Sequence, residues 1–466
     1  MATTECTQVD VAVLGAGPSG MAAAIHAAEA GVDVALIDEH PQAGGAIWRG
    51  LANASGSRRQ TLLRDYPDGG AMLDRLGAAK LRRIHAATVW EVTRDRVIFY
   101  SQAGVARQLA ARRIILANGA LERPMPFPGW TMPGVLTAGA AQIMLKTSGI
   151  TPPGPVVMAG SGPLVLLVAA QLLEAGQPPE AIIDTTPRGN WKRALRHLPV
   201  QSSARQILAK GLKLKRDLRR AGIPVYRGAT DLEALGDETV SGVRFRHRTH
   251  MTTLNCSTLL VHCGVVPNTQ ISRAIGLDHV WDETGQFWRP HVDDMQRSSV
   301  AGILIAGDGG GIAGAEAAVH SGRIAAMAAL DGLADVSETA FDHERKALAR
   351  HKAIRPFLDT FYAPAAEFQR PGNDTIVCRC EEVTAGQIRQ LVRQGCHDPN
   401  AVKSLGRAGM GPCQGRYCGQ TVSRLVAEVR NEPVSDVGYF RLRPPIKPVT
   451  LGELASLTPD EARNDG

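Results

Sequence analysis

Aromatic residues are scarce in this 466-residue chain, at 5%. Proteins that grip single-stranded nucleic acid stack its bases on aromatic side chains, so that class of function is set aside. Cysteines number only eight, too few for a small secreted scaffold stapled by disulfides. No long hydrophobic run is present. The strongest, Leu164 to Leu173, is interrupted by Gln171 and falls well short of the ~20 apolar residues that a membrane-spanning helix needs. Met1 to Asp10 has neither the basic start nor the apolar centre of a signal peptide. A reducing cytoplasm is therefore the expected compartment. Acidic residues are outnumbered only slightly, 45 against 52 Lys and Arg for a net charge of +7, and the excess is scattered. Its densest patch, Lys210, Lys213, Lys215, Arg216, Arg219 and Arg220, reads as one helix. That face is expected to be solvated, or to dock a protein partner or an anionic membrane surface; nucleic acid is not an expected partner.

Glycine, by contrast, is abundant, at 49 of 466 residues against about 7% in ordinary domains. No repeat absorbs the excess, so it must serve turns and loops that approach ligands closely. With 44% hydrophobic and 21% charged residues the chain has apolar surface for several cores, and its length predicts roughly three domains.

Val9 to Leu14 reads as a short buried strand, followed by Gly15-Ala16-Gly17-Pro18-Ser19-Gly20, an alanine-rich helix from Met21 to about Ala30, and a second strand over Val32 to Ile37 ending in Asp38-Glu39. A glycine triplet of this spacing is weak evidence alone. Placed between strand and helix, with an acid 23 residues after Gly15, it is what a dinucleotide site requires. Gly15 permits the tight turn, Gly17 lets backbone approach a pyrophosphate, and Gly20 allows close helix–strand packing. The helix N-terminus supplies N–H groups and the positive end of a dipole. Asp38 is expected to accept hydrogen bonds from the ribose hydroxyls, with Glu39 as its neighbouring alternative.

A second unit of the same kind begins at Pro155 to Ala159 and continues through Gly160-Ser161-Gly162-Pro163 to a strand at Ala181 to Asp184. Its turn is degenerate. Val165 stands where the third glycine belongs, and Pro163 removes one N–H from the helix start. Arg188, past the following strand, could reach a phosphate but is expected to be a surface residue.

Cys378-Arg379-Cys380 and Cys413-Gln414-Gly415-Arg416-Tyr417-Cys418 form two tight pairs with 32 residues between them. Four thiolates so grouped argue for metal rather than disulfides, and both zinc and a [2Fe–2S] cluster accept such a set. The surrounding glycines would free backbone N–H groups for cluster sulfurs. Cys396 stands outside the set as an expected core thiol. Cys256 and Cys263, seven apart, should lie on opposite faces of a strand as buried structural thiols, and Cys6 before the fold. No pair among these three reads as a redox-active disulfide. His262, His291 and His320 are isolated and read as structural.

Gly44-Gly45, six residues after Asp38, resembles the acid-then-glycine pattern of flavoproteins of the two-dinucleotide-binding family. Ile114 to Ala120, with Asn118-Gly119, resembles that family's "ATG" strand, with Asn in place of the usual Thr. Gly264 to Asn268 resembles its G-x-x-P-N turn, and Gly307-Asp308 its second flavin motif. This resemblance implies FAD at the first glycine turn, Asp308 at the ribityl–phosphate region, backbone contacts from Val89 to the adenine, and NAD(P)H at the second turn of family members in which that turn is intact. The cysteine module resembles the bacterioferritin-associated-ferredoxin-like [2Fe–2S] domain, which implies the cluster rather than zinc, with Cys378, Cys380, Cys413 and Cys418 as its ligands.

Longer strings widen the resemblance to nearly the whole chain. Leu121-Glu122-Arg123-Pro124, Pro126 to Trp130, Pro133 to Gln142, Arg407 to Arg416, and Arg443 to Leu454 resemble the alpha (A-type) subunits of opine oxidases. The alpha subunit of D-hydroxyproline dehydrogenase and the B subunit of hydrogen cyanide synthase are related. The resemblance implies an electron-transferring FAD/[2Fe–2S] subunit of a heteromeric amine or imino-acid dehydrogenase. The catalytic partner would be a beta subunit with an amino-acid-oxidase-like fold and its own FAD, and a further member would be a small ferredoxin-like gamma subunit. A respiratory acceptor would bring the complex to the inner face of the cell membrane. No acid–base set near the flavin motifs reads as catalytic, which agrees with that division of labour. A stand-alone NAD(P)H-dependent flavin reductase feeding the cluster is the alternative, and a scaffold with vestigial sites a more distant one.

The expected fold class is α/β: two Rossmann-like dinucleotide-binding domains, the FAD domain discontinuous, and a small C-terminal [2Fe–2S]-binding domain. The expected boundaries are 1–150 with 256–335 for the FAD domain, 151–255 for the degenerate nucleotide domain, 336–373 for a helical connector, 374–430 for the cluster domain and 431–466 for a proline-rich tail. That tail and the basic helix are the expected partner surfaces.

Overall fold

The structure, a computed structural model, describes residues 7–56, 62–63, 66–198 and 202–457; Cys6 lies outside them. Strand β1 (Thr7–Leu14), the helix Pro18–Glu29 and β2 (Val34–Ile37) form the first strand–helix–strand unit. Val11, Ala12 and Val13 are all fully buried, as befits a central parallel strand covered on both faces. β1 pairs in parallel with β2, and β2 with β3 (Arg82–Ile84). β4 (Ala87–Val92), β5 (Val97–Gln102) and β6 (Val105–Leu116) add an antiparallel meander. The far half of β6 also pairs in parallel with β1, so one long strand joins the two halves of the sheet.

The chain then passes through β7 (Ala120–Glu122) into a second sheet. This sheet is built from β8 (Val135–Thr137), β9 (Val156–Gly160), β10 (Ala181–Asp184) and β11 (Val225–Arg227), with the helices Ala138–Ser148 and Pro163–Glu174 against it. An antiparallel layer of β12 (Thr230–Gly236), β13 (Val240–His247) and β14 (His250–Asn255) follows. β15 (Thr258–His262) then returns to the second sheet, inserted between β9 and β8 in the order β11-β10-β9-β15-β8.

That insertion corrects the expected boundaries. The sheets divide the chain after β7 and before β16 (Val265–Pro267), which pairs with β7, not at residues 150 and 256. The buried run Leu259–Val261 would fit the centre of either parallel sheet. Hydrophobicity alone does not say which neighbours it takes. The same placement corrects the expectation for the two cysteines: Cys256 and Cys263 flank β15 from outside it and share one core with Val157, Phe245 and Leu259.

β17 (His279–Asp282) and β18 (Phe287–Pro290) form a ribbon, and β19 (Ile303–Ile305) joins the first sheet beside β6. The helix Ala315–Ala329 crosses the helix Pro18–Glu29 in near backbone contact, since a Cβ on Gly322 would stand 2.1 Å from the carbonyl oxygen of Ser19. Three helices, Glu338–Lys352, Arg355–Phe361 and Ala366–Gln369, make the connector.

The cysteine module comprises β20 (Ile376–Cys378), β21 (Val383–Thr384) and the helices Ala385–Arg393, Pro399–Gly406 and Gly419–Arg430. Its core holds Val377, Ile388, Val402, Val422 and Leu425, and also Val437, Phe440 and Leu442 from beyond residue 430. The C-terminal segment is thus packed on its own chain through these residues. Among the described residues, no helix is long and apolar enough to cross a membrane.

Candidate functional site

The glycine turn after β1 cannot carry side chains. Gly15 has φ +106°, and a Cβ there would lie 2.5 Å from the carbonyl oxygen of Ala117; a Cβ on Gly20 would lie 1.7 Å from the carbonyl oxygen of Gly15. The helix that follows is capped by no side chain at Gly17, which leaves its first N–H groups and dipole end to an anion. Around this turn the structure gathers the other expected residues. Gly44 N–H donates to the Ala16 carbonyl at 2.8 Å. Gly45, at φ +58°, would place a Cβ 2.7 Å from the Gly17 Cα, and Gly307, at φ +70°, would place one 2.5 Å from Ser19 Oγ. Pro18 begins the helix, where its missing N–H costs nothing.

Asn118 Nδ2 donates to the Asn268 carbonyl, Asn268 N–H donates to the Gly119 carbonyl, and a Cβ on Gly309 would lie 3.2 Å from Asn118 Oδ1. Three segments from distant parts of the chain therefore close on the turn. Asp308 Oδ1 accepts from Ala313 and Gly314 N–H at 2.8 and 3.0 Å, fixing the entry to the helix Ala315–Ala329.

Asp38 also serves the protein backbone. Its carboxylate is 8% exposed and accepts hydrogen bonds from the backbone N–H groups of Ala16 and His40. It braces the turn from inside; sequence spacing identifies an acid here but not the backbone donors that fold over it. Glu39 is the more open of the two. It is paired with Lys447. Burial pushes its carboxyl up, but the hydrogen bond and charge of Lys447, with His40 and Arg416, hold it below its ordinary value. Val89 sits on β4 one residue before Trp90, and this strand begins where Ala87 N–H donates to the Asp38 carbonyl at 3.0 Å.

Two basic residues here carry no sequence signal. Lys146, 2% exposed, donates to the Ile47 carbonyl at 2.9 Å and lies 4.3 Å from the centre of the Tyr66 ring. Arg49 donates to the Gly45 carbonyl at 2.8 Å. Both order the loop after the glycine pair. A cradle of bare backbone, an uncapped helix start and an acid at the end of β2 fit a dinucleotide such as FAD.

The second glycine turn is differently furnished. A Cβ on Gly160 would lie 1.8 Å from the His262 carbonyl oxygen, and one on Gly162 would lie 3.4 Å from the His262 ring. His262 Nδ1 is 2.6 Å from Glu122 Oε1, and Glu122 Oε2 accepts from Gly139 N–H at 3.0 Å. His262 is thus paired, not isolated. Arg188 packs its side chain against Gly228.

The four expected cysteines come together as two pairs. Cys378 and Cys418 are each 1% exposed and hydrogen-bond one another; Cys380, exposed, pairs with the half-buried Cys413. The Cys378 thiol is held down to about 6, because the Cys418 thiol donates to it and the N–H groups of Gly409, Glu381 and Cys380 add theirs against the effect of burial. Gly409 N–H stands 3.5 Å from Cys378 Sγ. A Cβ on Gly411 would lie 2.2 Å from that of Cys380, so glycine is required for the loops to close. Among the described residues, no group of three or more His, Cys, Asp or Glu side chains could enclose one metal ion. Four neighbouring thiols with backbone N–H groups among them fit a [2Fe–2S] cluster, whose sulfurs such N–H groups would hydrogen-bond. Cys396, 3% exposed, lies in the module core.

Cys256 and Cys263 are buried, and burial pushes their thiols up to about 11 and about 12. A disulfide reductase needs thiolate character. At pH 8 a small alkylating reagent should therefore leave both unmodified in the native protein and label them once it is unfolded. Rapid labelling of either in the native state, read by peptide mass, would contradict their assignment to the core.

The module docks on the flavin-site domain through a few polar contacts. The Gln286 carbonyl, just before β18, accepts from Arg123 Nη1 at 2.7 Å, from Arg424 Nη2 at 3.0 Å and from Gln420. From the second domain, Trp130 Nε1 donates to the Ile376 carbonyl at 2.7 Å. Gln270, two residues past Asn268, donates to the carbonyl of Gln414 at 3.4 Å, next to Cys413.

Comparison with known proteins places these sites in a family. Residues 9–322 match the pyridine nucleotide-disulphide oxidoreductase model, and residues 376–428 match the BFD-like [2Fe-2S] binding domain. The opine oxidase A-type subunit of Rhizobium meliloti is 42% identical over 96% of this chain and 98% of its own. The hydrogen cyanide synthase subunit HcnB of Pseudomonas aeruginosa is 33% identical over 96% of this chain and 98% of its own. Among solved structures, L-proline dehydrogenase from P. horikoshii shares the fold with a TM-score of 0.70 at 20% identity, over 97% of this chain and 81% of that one. The chain therefore belongs to the family of opine oxidase A-type subunits, flavin-dependent oxidoreductases whose relatives are subunits of multi-subunit enzymes, with FAD and a [2Fe–2S] cluster as the cofactors of its two matched domains.

Proposed function

We propose that this chain is the electron-transferring subunit of a heteromeric dehydrogenase acting on a secondary amine or imino acid. A partner flavoprotein subunit would carry out the dehydrogenation. This chain would relay the electrons to a quinone or another acceptor, and a further member would be a small ferredoxin-like subunit. Bound FAD supplies a two-electron centre and the [2Fe–2S] cluster a one-electron centre.

The chain's own residues would hold the two centres in one rigid body. Gly15, Ala16, Gly17, Pro18, Ser19 and Gly20 form the pyrophosphate cradle, with Gly44 and Gly45 against it. Glu39, with Asp38 behind it, faces the adenosine ribose, and Val89 the adenine. Asn118, Gly119, Gly307 and Asp308 line the flavin side, and Cys378, Cys380, Cys413 and Cys418 hold the cluster. One observation carries the reading: Gln270 ties the Asn268 flavin-motif turn to the backbone beside Cys413, so the flavin-site domain and the cysteine loop are in direct contact. Nothing among the flavin-site side chains described above forms a nucleophile–base pair for substrate. The protein is proposed to work in the cytoplasm, at the inner face of the membrane when a respiratory acceptor is used. The basic helix Ser202–Arg220, with Lys210, Lys213, Lys215, Arg216, Arg219 and Arg220 exposed, is its candidate partner surface.

The reading is tested by purifying the chain alone and together with its partner flavoprotein subunit. Amine oxidation with an artificial acceptor should require both. NADH and NADPH should not bleach the flavin of the isolated chain, because the second turn has Val165 in place of the third glycine and the His262–Glu122 pair beside it. Rapid bleaching by either nucleotide would instead support a stand-alone reductase.

A further inference from the structure

The C-terminal segment runs from the cysteine loop to the flavin site. At one end Phe440, 2% exposed, packs on Gly409 and Gly415, whose added Cβ atoms would stand 2.7 and 2.5 Å from its ring. Tyr439 covers Gly419, and the Arg273 guanidinium lies 4.1 Å from the centre of its ring. Asn400 grips the backbone on both sides, donating to the Tyr439 carbonyl at 3.3 Å and accepting from Arg441 N–H at 2.7 Å. The chain then crosses to the flavin-site domain. Ile446, 2% exposed, donates its N–H to the Trp90 carbonyl at 2.9 Å, and Lys447 Nζ bonds the Glu39 carboxylate. Beyond them the short helix Leu451–Ala455 opens with a capping box, Thr450 with Glu453, and Ser456 Oγ accepts from Ala106 N–H on β6 at 2.8 Å.

The two residues this segment reaches are telling. Glu39 lies two residues past β2, and Trp90 follows Val89 on β4; Glu39 and Val89 are the residues assigned above to the adenosine ribose and adenine. We infer that residues 443–450 are part of the FAD site, with Lys447 clasping Glu39 to close its adenosine end. The clasp holds Glu39 in place, and the buried Ile446 removes water from the same side. FAD occupancy and the seating of the segment then reinforce one another, as linkage requires. Because the other end is anchored on the cysteine loop, the same strap fixes the flavin-site domain to the cluster module.

This inference rests on FAD binding by the chain and not on the direction or purpose of electron flow, so it stands or falls separately from the relay. The test is flavin release from full-length holoprotein, followed by the fluorescence of freed FAD after dilution, with iron and acid-labile sulfide measured in parallel. Lys447→Met should release FAD about three- to fivefold faster, the effect of losing a partly exposed ion pair, and Lys447→Arg should restore retention. High salt should speed release from the parent protein but not from Lys447→Met. A chain ending at residue 442 should lose FAD faster still while keeping its iron and sulfide. Release within twofold of the parent in both Lys447→Met and the shortened chain would overturn the inference. So would parallel loss of FAD and iron, since the segment would then be holding the module rather than the flavin.

Discussion

Replacing Gly20 with alanine is expected to give a protein that retains little or no FAD. The added methyl group would sit 1.7 Å from the Gly15 carbonyl oxygen, a distance that no side-chain adjustment relieves, because both partners are backbone. Helix and strand must separate, and the uncapped helix N-terminus moves with them. The shift falls where the pyrophosphate is cradled, so flavin content should drop by more than about tenfold, equivalent to ~1.4 kcal/mol of binding. Gly15→Ala should behave similarly, since its φ of +106° adds strain to a contact of 2.5 Å with the Ala117 carbonyl oxygen. Gly77→Ala is the matched control. That position lies in the helix Pro67–Ala78 with nothing within 4 Å of an added Cβ, and alanine there should be neutral or slightly stabilising. The flavin-to-protein absorbance ratio of the three purified variants checks the prediction, and full flavin in Gly20→Ala would refute it.

The second large effect is expected at the cluster. Cys418→Ser and Cys378→Ser each remove a buried thiol from one pair and should lower iron and acid-labile sulfide to background while leaving the FAD content near that of the parent. The two outcomes separate because the glycine cradle and the cysteine loops belong to different cores. Cys396→Ser, buried in the module but outside both pairs, should keep its iron and sulfide and lose about 1–3 kcal/mol of stability through a polar group placed in an apolar core. Retention of sulfide in Cys418→Ser, or its loss in Cys396→Ser, would mean that the ligand set is wrongly drawn.

What is legible in the sequence follows a physical pattern. The turn Gly15–Gly20, the glycine pair at Gly44 and Gly45 and the paired cysteines can be read because close approach of backbone, or ligation by sulfur, restricts residue type at fixed local spacing. The family resemblance carries the rest of the FAD reading, through Asn118, Gly307 and Asp308. Features set by distant neighbours are not legible. Leu259–Val261 is apolar enough for either parallel sheet, and only its pairing with β8 and β9 decides the matter. Asp38 has the right position for a ribose, but the backbone donors of Ala16 and His40 that it also accepts from are set by the fold. His262 looks isolated in sequence because its partner, Glu122, lies 140 residues earlier. The C-terminal strap is hidden for the same reason. Its prolines exclude a helix, but nothing local to Lys447 indicates a carboxylate 408 residues away.

The central claim is that this chain moves electrons and leaves substrate chemistry to a partner. It is tested most directly by adding substrate without oxygen and recording the flavin and iron–sulfur absorption bands of this chain, first alone and then with the partner flavoprotein. Both bands should remain oxidised when the chain is alone and bleach when the partner is present. Bleaching of the isolated chain's flavin by the amine or imino acid itself would contradict it.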